Sequence, residues 1–255
     1  MKMKSAALAG TALLFMAASA LADVKETEEM SFEVSSGARI SVENINGDIR
    51  VTGGSGDKVN VIARKKAGEQ KYMDELKVMV DAESDYIRIE TKHPKSEDGW
   101  FKWGNNSSGS VSYELTVPEG VRLDTISTVN GDVTIAAVSG VVKAETVNGS
   151  LEASGLKSDV DLETVNGSIQ AEFEKVGSGQ RISAEAVNGK IVFLLPADAS
   201  ASINAETVNG SINADDFGLE PEKGFVGRDL DGEIGGGDAR ISLETVNGSI
   251  KVTKN

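Results

Sequence analysis

The chain of 255 residues contains no cysteine and one histidine, His93. Without cysteine no disulfide can form, so packing and strand hydrogen bonds must stabilise the fold. The same scarcity nearly excludes Ser-His and Cys-His nucleophilic sites, and no phosphate-loop motif is present. We therefore expect a protein without catalytic residues. The alternative is a carbohydrate-active β-helix enzyme, a polysaccharide lyase or hydrolase, because paired acids or an arginine base could serve that chemistry.

Long apolar runs are also scarce. The clearest one, Ala6 to Ala17, follows Lys2 and Lys4 and precedes the small-residue pattern Ala20-Leu21-Ala22. That order predicts a secretory signal peptide over residues 1–22. The run is too short and too rich in alanine for a convincing membrane span, although an uncleaved anchor is the alternative, and no later segment predicts a transmembrane helix. We expect export to the periplasm or the cell surface of a bacterium.

Basic residues are few, with 26 lysines and arginines against 40 acidic residues, and the formal net charge is −14. Loss of Lys2 and Lys4 with the signal peptide makes it −16. Such a surface repels nucleic acid and anionic lipid. The expected partner is therefore an envelope component, a glycan or a protein, and not a nucleic acid.

The chain is rich in one repeated sequence motif. The segment from Glu163 to Ile169 reads Glu-Thr-Val-Asn-Gly-Ser-Ile, and close copies recur before and after it. A fixed word at a fixed period is the signature of a repeat architecture. The Asn-Gly pairs of the seven copies are Asn46-Gly47, Asn130-Gly131, Asn148-Gly149, Asn166-Gly167, Asn188-Gly189, Asn209-Gly210 and Asn247-Gly248.

These pairs predict an all-β fold. From Asn130 onward their intervals are 18, 18, 22, 21 and 38 residues, which favours a parallel β-solenoid with coils of about 18 to 22 residues and Asn-Gly corners. The longest interval suggests two coils, with Asp231-Gly232-Glu233-Ile234 as a degenerate corner. An antiparallel hairpin-repeat array is the alternative, because Asn-Gly is also the strongest short hairpin signal.

Alternation of apolar and polar residues changes phase at each Asn-Gly pair, as a corner requires. Gly167 is therefore expected to adopt a positive φ, which glycine accepts without strain. The asparagines at 148, 166, 188 and 209 are candidates for a hydrogen-bonded ladder along the stack. Local turn formation by each asparagine alone is the alternative.

The chain is expected to form one continuous domain over residues 23–255. Residues 121–255 hold the regular repeats, and residues 23–120 predict irregular β-coils, with about four coils between Asn46 and Asn130. Charged residues 64–74 suggest a loop or one short helical turn. Residues 92–110 predict a long flexible loop, in which Trp100, Phe101 and Trp103 could bind a sugar or partner, or plug the flank of the fold.

Glutamates stand three residues before most of the asparagines. In a solenoid, Glu145, Glu163, Glu185, Glu206 and Glu244 would form an outward acidic column, with like charges about 4.8 Å apart. Such a column could attract Ca²⁺, which prefers carboxylate ligands, or a basic partner. It could equally be a solvated face. No metal site and no cofactor are assigned from the sequence.

The Asn-Gly-Asp words, the Val117-Pro118-Glu119-Gly120-Val121 bridge and Leu194-Leu195-Pro196 resemble the bacterial putative-adhesin β-strand-repeat family, a DUF4097-like domain of unknown function. The resemblance extends from about Glu33 to Val252. It implies an exported, mostly parallel β-solenoid with an adhesin-like or envelope-associated role, and it carries no catalytic residues. Many relatives have Ser-Gly-Asp at the turn, whereas most copies here read Asn-Gly-Ser.

Overall fold

The computed structural model describes residues 23–94, 109–177, 179–224 and 226–255. The expected signal peptide and the aromatic residues Trp100, Phe101 and Trp103 lie outside this part of the chain.

The described residues form twenty strands and almost no helix. The first ten strands are β1 (Val24–Glu33), β2 (Arg39–Glu43), β3 (Ile49–Gly54), β4 (Lys58–Ala67), β5 (Lys77–Ala82), β6 (Tyr86–Lys92), β7 (Gly109–Pro118), β8 (Arg122–Asn130), β9 (Val133–Ala136) and β10 (Val142–Asn148). The others are β11 (Leu151–Leu156), β12 (Val160–Asn166), β13 (Ile169–Phe173), β14 (Arg181–Asn188), β15 (Ile191–Leu195), β16 (Ala201–Asn209), β17 (Ile212–Asn213), β18 (Arg228–Ile234), β19 (Ala239–Asn247) and β20 (Ile250–Lys254). One short helix, α1 (Gln70–Glu75), lies in the charged stretch, and Asp215–Phe217 form a 3-10 turn. The all-β prediction is confirmed.

The strands form two ten-stranded sheets around one hydrophobic core. The first sheet has the order β1-β4-β7-β3-β9-β11-β13-β15-β20-β17, and the second β18-β16-β19-β14-β12-β10-β8-β2-β6-β5. Alternate residues of each strand point inward, so Val160 and Leu162 are buried while Glu163 is exposed. Beyond the corner, Ile169 and Phe173 face the same core from the other sheet.

Each Asn-Gly pair joins a strand of one sheet to a strand of the other. Equivalent residues of successive copies lie side by side in parallel register, so Thr164 pairs with Thr146 on one side and Ala186 on the other. The alternative of a hairpin at each Asn-Gly pair is wrong, because β12 and β13 belong to different sheets. Parallel pairs dominate this β-solenoid-like fold. The antiparallel pairs are β1 with β4, β4 with β7, β5 with β6, and β16 with β18.

We call each pair of successive strands, one from each sheet, that occupies one level of the stack a row. The spatial order of the rows differs from the order of the chain at the amino-terminal side. Asn46 lies directly beside Asn130, and β2 is inserted between β8 and β6. The prediction of about four coils between those asparagines is wrong. The intervening residues instead supply α1, β4, β5 and one outer row, β6 with β7, beyond the row of Asn46.

The carboxyl-terminal side shows the same insertion. The last row, β19 with β20, lies between the row of β14 and β15 and the row of β16 and β17. The segment Asp231 to Ile234 is not a corner, because it lies within β18, which closes the sheet edge antiparallel to β16. The expectation of two consecutive coils in the 38-residue interval is therefore wrong.

Gly109 is also placed differently from the prediction of a flexible loop up to residue 110. It begins β7, is buried, and packs so closely on Tyr72 that a Cβ atom would overlap the tyrosine ring.

Candidate functional site

The corners form a continuous asparagine ladder along the second sheet. In spatial order its members are Asn46, Asn130, Asn148, Asn166, Asn188, Asn247 and Asn209. Each asparagine after the first donates a hydrogen bond from Nδ2 to Oδ1 of the one before it, over 2.8 to 3.0 Å. Because the amide side chain carries both a donor and an acceptor, one residue type can extend the ladder without end.

The glycines at these corners are required for a reason that the sequence did not reveal. Gly167 does not have the expected positive φ; of the seven corner glycines only Gly47 does, at φ 120°. At Gly167 a Cβ atom would instead overlap the carbonyl oxygen of Gly149 in the neighbouring row. The same overlap with the adjacent glycine carbonyl recurs at Gly131, Gly149, Gly189, Gly210 and Gly248. Close approach of backbones therefore selects glycine here.

Buried threonines stabilise the same corners. Thr164, which is 4% exposed, donates from Oγ1 to the carbonyl oxygen of Gly149 over 3.0 Å. Thr128, Thr146, Thr245 and Thr207 make the equivalent bond to the glycine of an adjacent row. The row of Asn188 has Ala186 at this position, so no hydroxyl reaches the carbonyl of Gly167 from that row. This bond is not predicted by the sequence, because threonine also fits a strand by propensity alone.

The glutamate column, defined in spatial order as Glu145, Glu163, Glu185, Glu244 and Glu206, runs along the outer face of the second sheet. The five residues are exposed and are direct neighbours in the parallel register. Asp229 of β18 continues the column beyond Glu206, and Ser127 interrupts it before Glu43. Within the described ranges, none of the five carboxylates forms an ion pair. The column therefore presents uncompensated negative charge.

Glu163, the second residue of the column, is influenced by the charges of its neighbours. Partial burial raises the pKa of Glu163, and repulsion from Asp161, Glu185 and Glu145 raises it further against the opposing influence of Lys143. Lys143 is itself paired with Asp161 over 3.0 Å. The attraction of a cation would therefore be greatest where the carboxylates are least hydrated.

An exposed valine ridge runs beside the glutamate column. It consists of Val129, Val147, Val165, Val187, Val246 and Val208, which are 38 to 44% exposed. Each valine lies two residues after the column position of its strand, so the two rows share one face and lie about 6.8 Å apart. These valines are not among the candidate residues predicted from the sequence. The alternation that put Glu163 outside also puts Val165 outside, and following it one step further would have found the ridge.

The column and the ridge border one elongated groove of about 900 Å³. The buried threonines and Ala186 lie between the two rows, and Val226, Arg228 and Asp229 close the end near β18. The groove thus has an anionic side along the five glutamate rows and an aliphatic side along all six valine rows. That arrangement can bind a partner with cationic and apolar groups side by side.

The described part of the chain has few other candidate binding or catalytic groups. It contains no group of three or more His, Cys, Asp and Glu side chains arranged to hold a metal ion. His93 contacts the Tyr72 hydroxyl through Nδ1 at 3.1 Å, and burial lowers the pKa of the histidine. Among the same residues, no helix has the length and apolar character needed to span a membrane.

Several solved structures resemble the fold at low sequence identity. A putative cell adhesion protein from Clostridium sporogenes is 13% identical, with a TM-score of 0.49 over 90% of this chain and 100% of that one. A putative adhesin from Bacteroides fragilis is 15% identical, with a TM-score of 0.40 over 89% and 96%. A putative lipid binding protein from Parabacteroides distasonis is 14% identical, with a TM-score of 0.31 over 89% and 97%. No curated protein sequence matches the chain significantly.

The sequence itself matches one family model, described as Toastrack DUF4097, over residues 105–253. This match covers more than half of the chain and includes six of the seven Asn-Gly rows. The chain therefore belongs to the Toastrack DUF4097 family.

Proposed function

We propose that this protein is an exported, non-catalytic and adhesin-like component of the bacterial cell envelope, and that it binds its partner along the groove between the glutamate column and the valine ridge. The observation that carries the proposal is the valine ridge, six aliphatic side chains that stay exposed in one straight row. Exposed apolar residues are ordinary when scattered, but a contiguous row beside polar residues is typical of an interaction surface.

The charge of the groove restricts the class of partner. Its carboxylates have no basic partner within the described ranges, and burying them against an uncharged molecule would be unfavourable. A partner with lysine or arginine beside an apolar face would compensate the charge and cover the ridge together. We therefore propose a cationic amphipathic protein segment as the partner.

The spacing of the rows favours a helical segment. Rows repeat every 4.8 Å or so, and an α-helix presents a given side every 5.4 Å, so over four steps the two drift apart by only about 2.4 Å. An extended strand repeats about every 6.8 Å and loses register within two steps. The five glutamates span about 19 Å, which corresponds to roughly 13 helical residues.

The test uses a helical peptide of that length with lysines along one flank of a leucine face. We expect it to bind the folded protein, with affinity falling as salt increases because surface charges are screened. Changing Val147, Val165 and Val187 to Thr should weaken binding about tenfold or more while keeping the branched shape. Changing Glu163 and Glu185 to Gln should weaken it and reduce its salt dependence.

The matched charge control is Glu152→Gln with Glu172→Gln, on the outer face of the first sheet, which removes the same charge away from the groove. This variant should bind the peptide as the unchanged protein does. Equal weakening by both charge variants would reduce the effect to net charge and remove the groove from the proposal.

Export is tested separately. The predicted signal peptide, residues 1–22, leads us to expect a mature protein beginning at Asp23 in the periplasmic or surface fraction of the cell. A protein found in the cytoplasm with an intact amino terminus would contradict the envelope role and leave peptide binding unaffected.

The predicted aromatic contact at Trp100, Phe101 and Trp103 is an additional candidate for envelope binding. Replacing Trp100 and Trp103 with Ala should abolish attachment to envelope glycans or protein while leaving the melting temperature unchanged, if these side chains bind. A lower melting temperature would support their alternative role as a plug.

A further inference from the structure

The seven Asn-Gly pairs are chemically equivalent in the unfolded chain but not in the fold. In an Asn-Gly pair, the glycine amide nitrogen can attack Cγ of the asparagine once the amide loses its proton. A glycine amide that already donates a hydrogen bond reacts more slowly, because its proton is harder to remove and its nitrogen is held in a fixed orientation. The hydrogen bonds of the corner glycines therefore decide which pair can react.

Six of the seven glycine amides are held in this way. Gly47, Gly131, Gly149, Gly167, Gly189 and Gly248 each donate to the backbone carbonyl of the asparagine in an adjacent row. These bonds are 2.8 to 3.1 Å long. The accepting carbonyl always belongs to the next row in the direction of β16.

The seventh pair, Asn209-Gly210, lies in the outermost row of the ladder. The Gly210 amide has no hydrogen-bond acceptor within residues 23–94, 109–177, 179–224 and 226–255. Asn209 donates from Nδ2 to Asn247 over 2.9 Å, but no side chain in these ranges donates to its own Oδ1. Each other asparagine of the ladder receives such a bond.

We propose that Asn209 is the selective site of spontaneous deamidation in the folded protein. Hydroxide removes the Gly210 amide proton, and a bond forms between that nitrogen and Cγ of Asn209. The bond from Cγ to Nδ2 breaks, and the nitrogen leaves as ammonia. Water then opens the cyclic imide at either carbonyl, which gives an aspartate or an isoaspartate linkage at position 209 without any oxidation or reduction.

The modification would act on the end of the ladder. An amide that donated to Oδ1 of Asn247 becomes a carboxylate facing the same oxygen, so attraction is replaced by repulsion. An isoaspartate linkage also adds a backbone carbon at a corner where Gly210 has no room for a Cβ atom. The outermost row, β16 with β17, is therefore the first to loosen as the protein ages.

The experiment incubates the full mature protein at mildly alkaline pH and follows each Asn-Gly pair by peptide mass mapping. We expect conversion at Asn209 about tenfold or more faster than at the mean of the other six, since roughly one or two hydrogen bonds distinguish them. In urea, where the ladder is absent, all seven should convert at similar rates. Asn209→Ser should abolish the fast conversion and leave the slow ones unchanged.

Two results would overturn the proposal. One is a second Asn-Gly pair that converts as fast as Asn209 in the folded protein, and the other is conversion of Asn209 as slow as that of the remaining pairs. Either result, in protein whose thermal melt shows it to be folded, means that the ladder does not control the reaction.

Discussion

In five of the seven Asn-Gly rows, a threonine hydroxyl donates to the corner glycine of an adjacent row. The Oγ1 atoms of Thr146 and Thr164 donate to the carbonyl oxygens of Gly131 and Gly149. Within the described residues no backbone amide donates to these two carbonyls, so the threonine hydroxyl supplies the hydrogen bond that they would otherwise lack. The row of Asn188 lacks this hydroxyl, because Ala186 stands at the threonine position.

Ala186→Thr should therefore stabilise the protein. The new hydroxyl would lie between Thr164 and Thr245 in the register and reach the carbonyl of Gly167. We expect a gain of about 1 kcal/mol in the free energy of unfolding, measured by denaturant titration. Thr164→Ala is the matched change in the next row and should lose a similar amount. A destabilised Ala186→Thr would show that the corner has no room for the hydroxyl.

Gly167→Ala tests the close approach of corner backbones. The added Cβ would meet the carbonyl of Gly149, and backbone atoms cannot move aside as a flexible side chain can. We expect a loss of about 2 kcal/mol or more in the free energy of unfolding. Gly120→Ala is the control, because nothing lies within 4 Å of a Cβ there, and it should change stability by less than about 0.5 kcal/mol. Equal losses at both positions would exclude a steric cause.

Among the larger elements, the glutamate column makes stability depend on pH. The folded pKa of Glu163 is raised, so the folded state binds more protons than the unfolded chain between the two pKa values. Its contribution to stability is complete below the unfolded pKa, roughly 4.3, and is lost as pH rises through the folded value. Thermal melts over this range should show that loss.

A variant with Glu163→Gln and Glu185→Gln should lose less stability over the same pH range. The reason is that two of the mutually repelling carboxylates are absent. Glu152→Gln with Glu172→Gln again serves as the control on the first sheet and should follow the unchanged protein. If the column variant follows it too, the carboxylates are too well hydrated to repel one another.

Some features of these elements depend on neighbours in the chain and could be predicted from the sequence. Others depend on contacts between stacked rows and could not. The Asn-Gly words predicted the corners and the outward glutamates, because alternation and a fixed period depend on neighbours in the chain. The reason for glycine at Gly167 was wrong, because a clash with Gly149 appears only when two rows are stacked. The valine ridge follows from the same alternation, but an apolar residue in a strand word suggests a core position.

The order of the rows could not be predicted for a different reason. Because the words are nearly identical, the row of Asn188 fits the row of Asn247 as well as it fits that of Asn209. The preference is decided elsewhere, by the turn that lets β18 pair antiparallel with β16 and by the chain that leads back to β19. These long-range connections between strands produce no periodic pattern in the sequence.

For the whole molecule, the inserted rows predict that removal of similar lengths has unequal effects. Deleting residues 149–166 removes one middle row of 18 residues and joins Asn148 to Gly167, so the neighbouring rows can pair in the same register. Repeat proteins lose stability roughly by the row, and this variant should stay folded with a lower melting temperature.

Deleting residues 239–255 should be far more damaging. It removes β19 and β20, which separate the row of β14 and β15 from that of β16 and β17, and leaves both without a partner on that side. Circular dichroism and thermal melting distinguish the two deletions. Similar melting temperatures for both would show that the outer row can close onto β14 directly.

The same arrangement limits how the protein can change in length over evolution. A duplicated stretch of about 18 residues within the array from Asn130 to Asn188 enters the stack between two equal neighbours, and the chain on either side keeps its course. Near either terminus, a duplicated row would have to enter the stack where an existing row already lies between two others, which would disturb the order of the rows. Relatives with taller or shorter stacks should therefore differ in the middle of their sequences, while the inserted first and last rows keep their places.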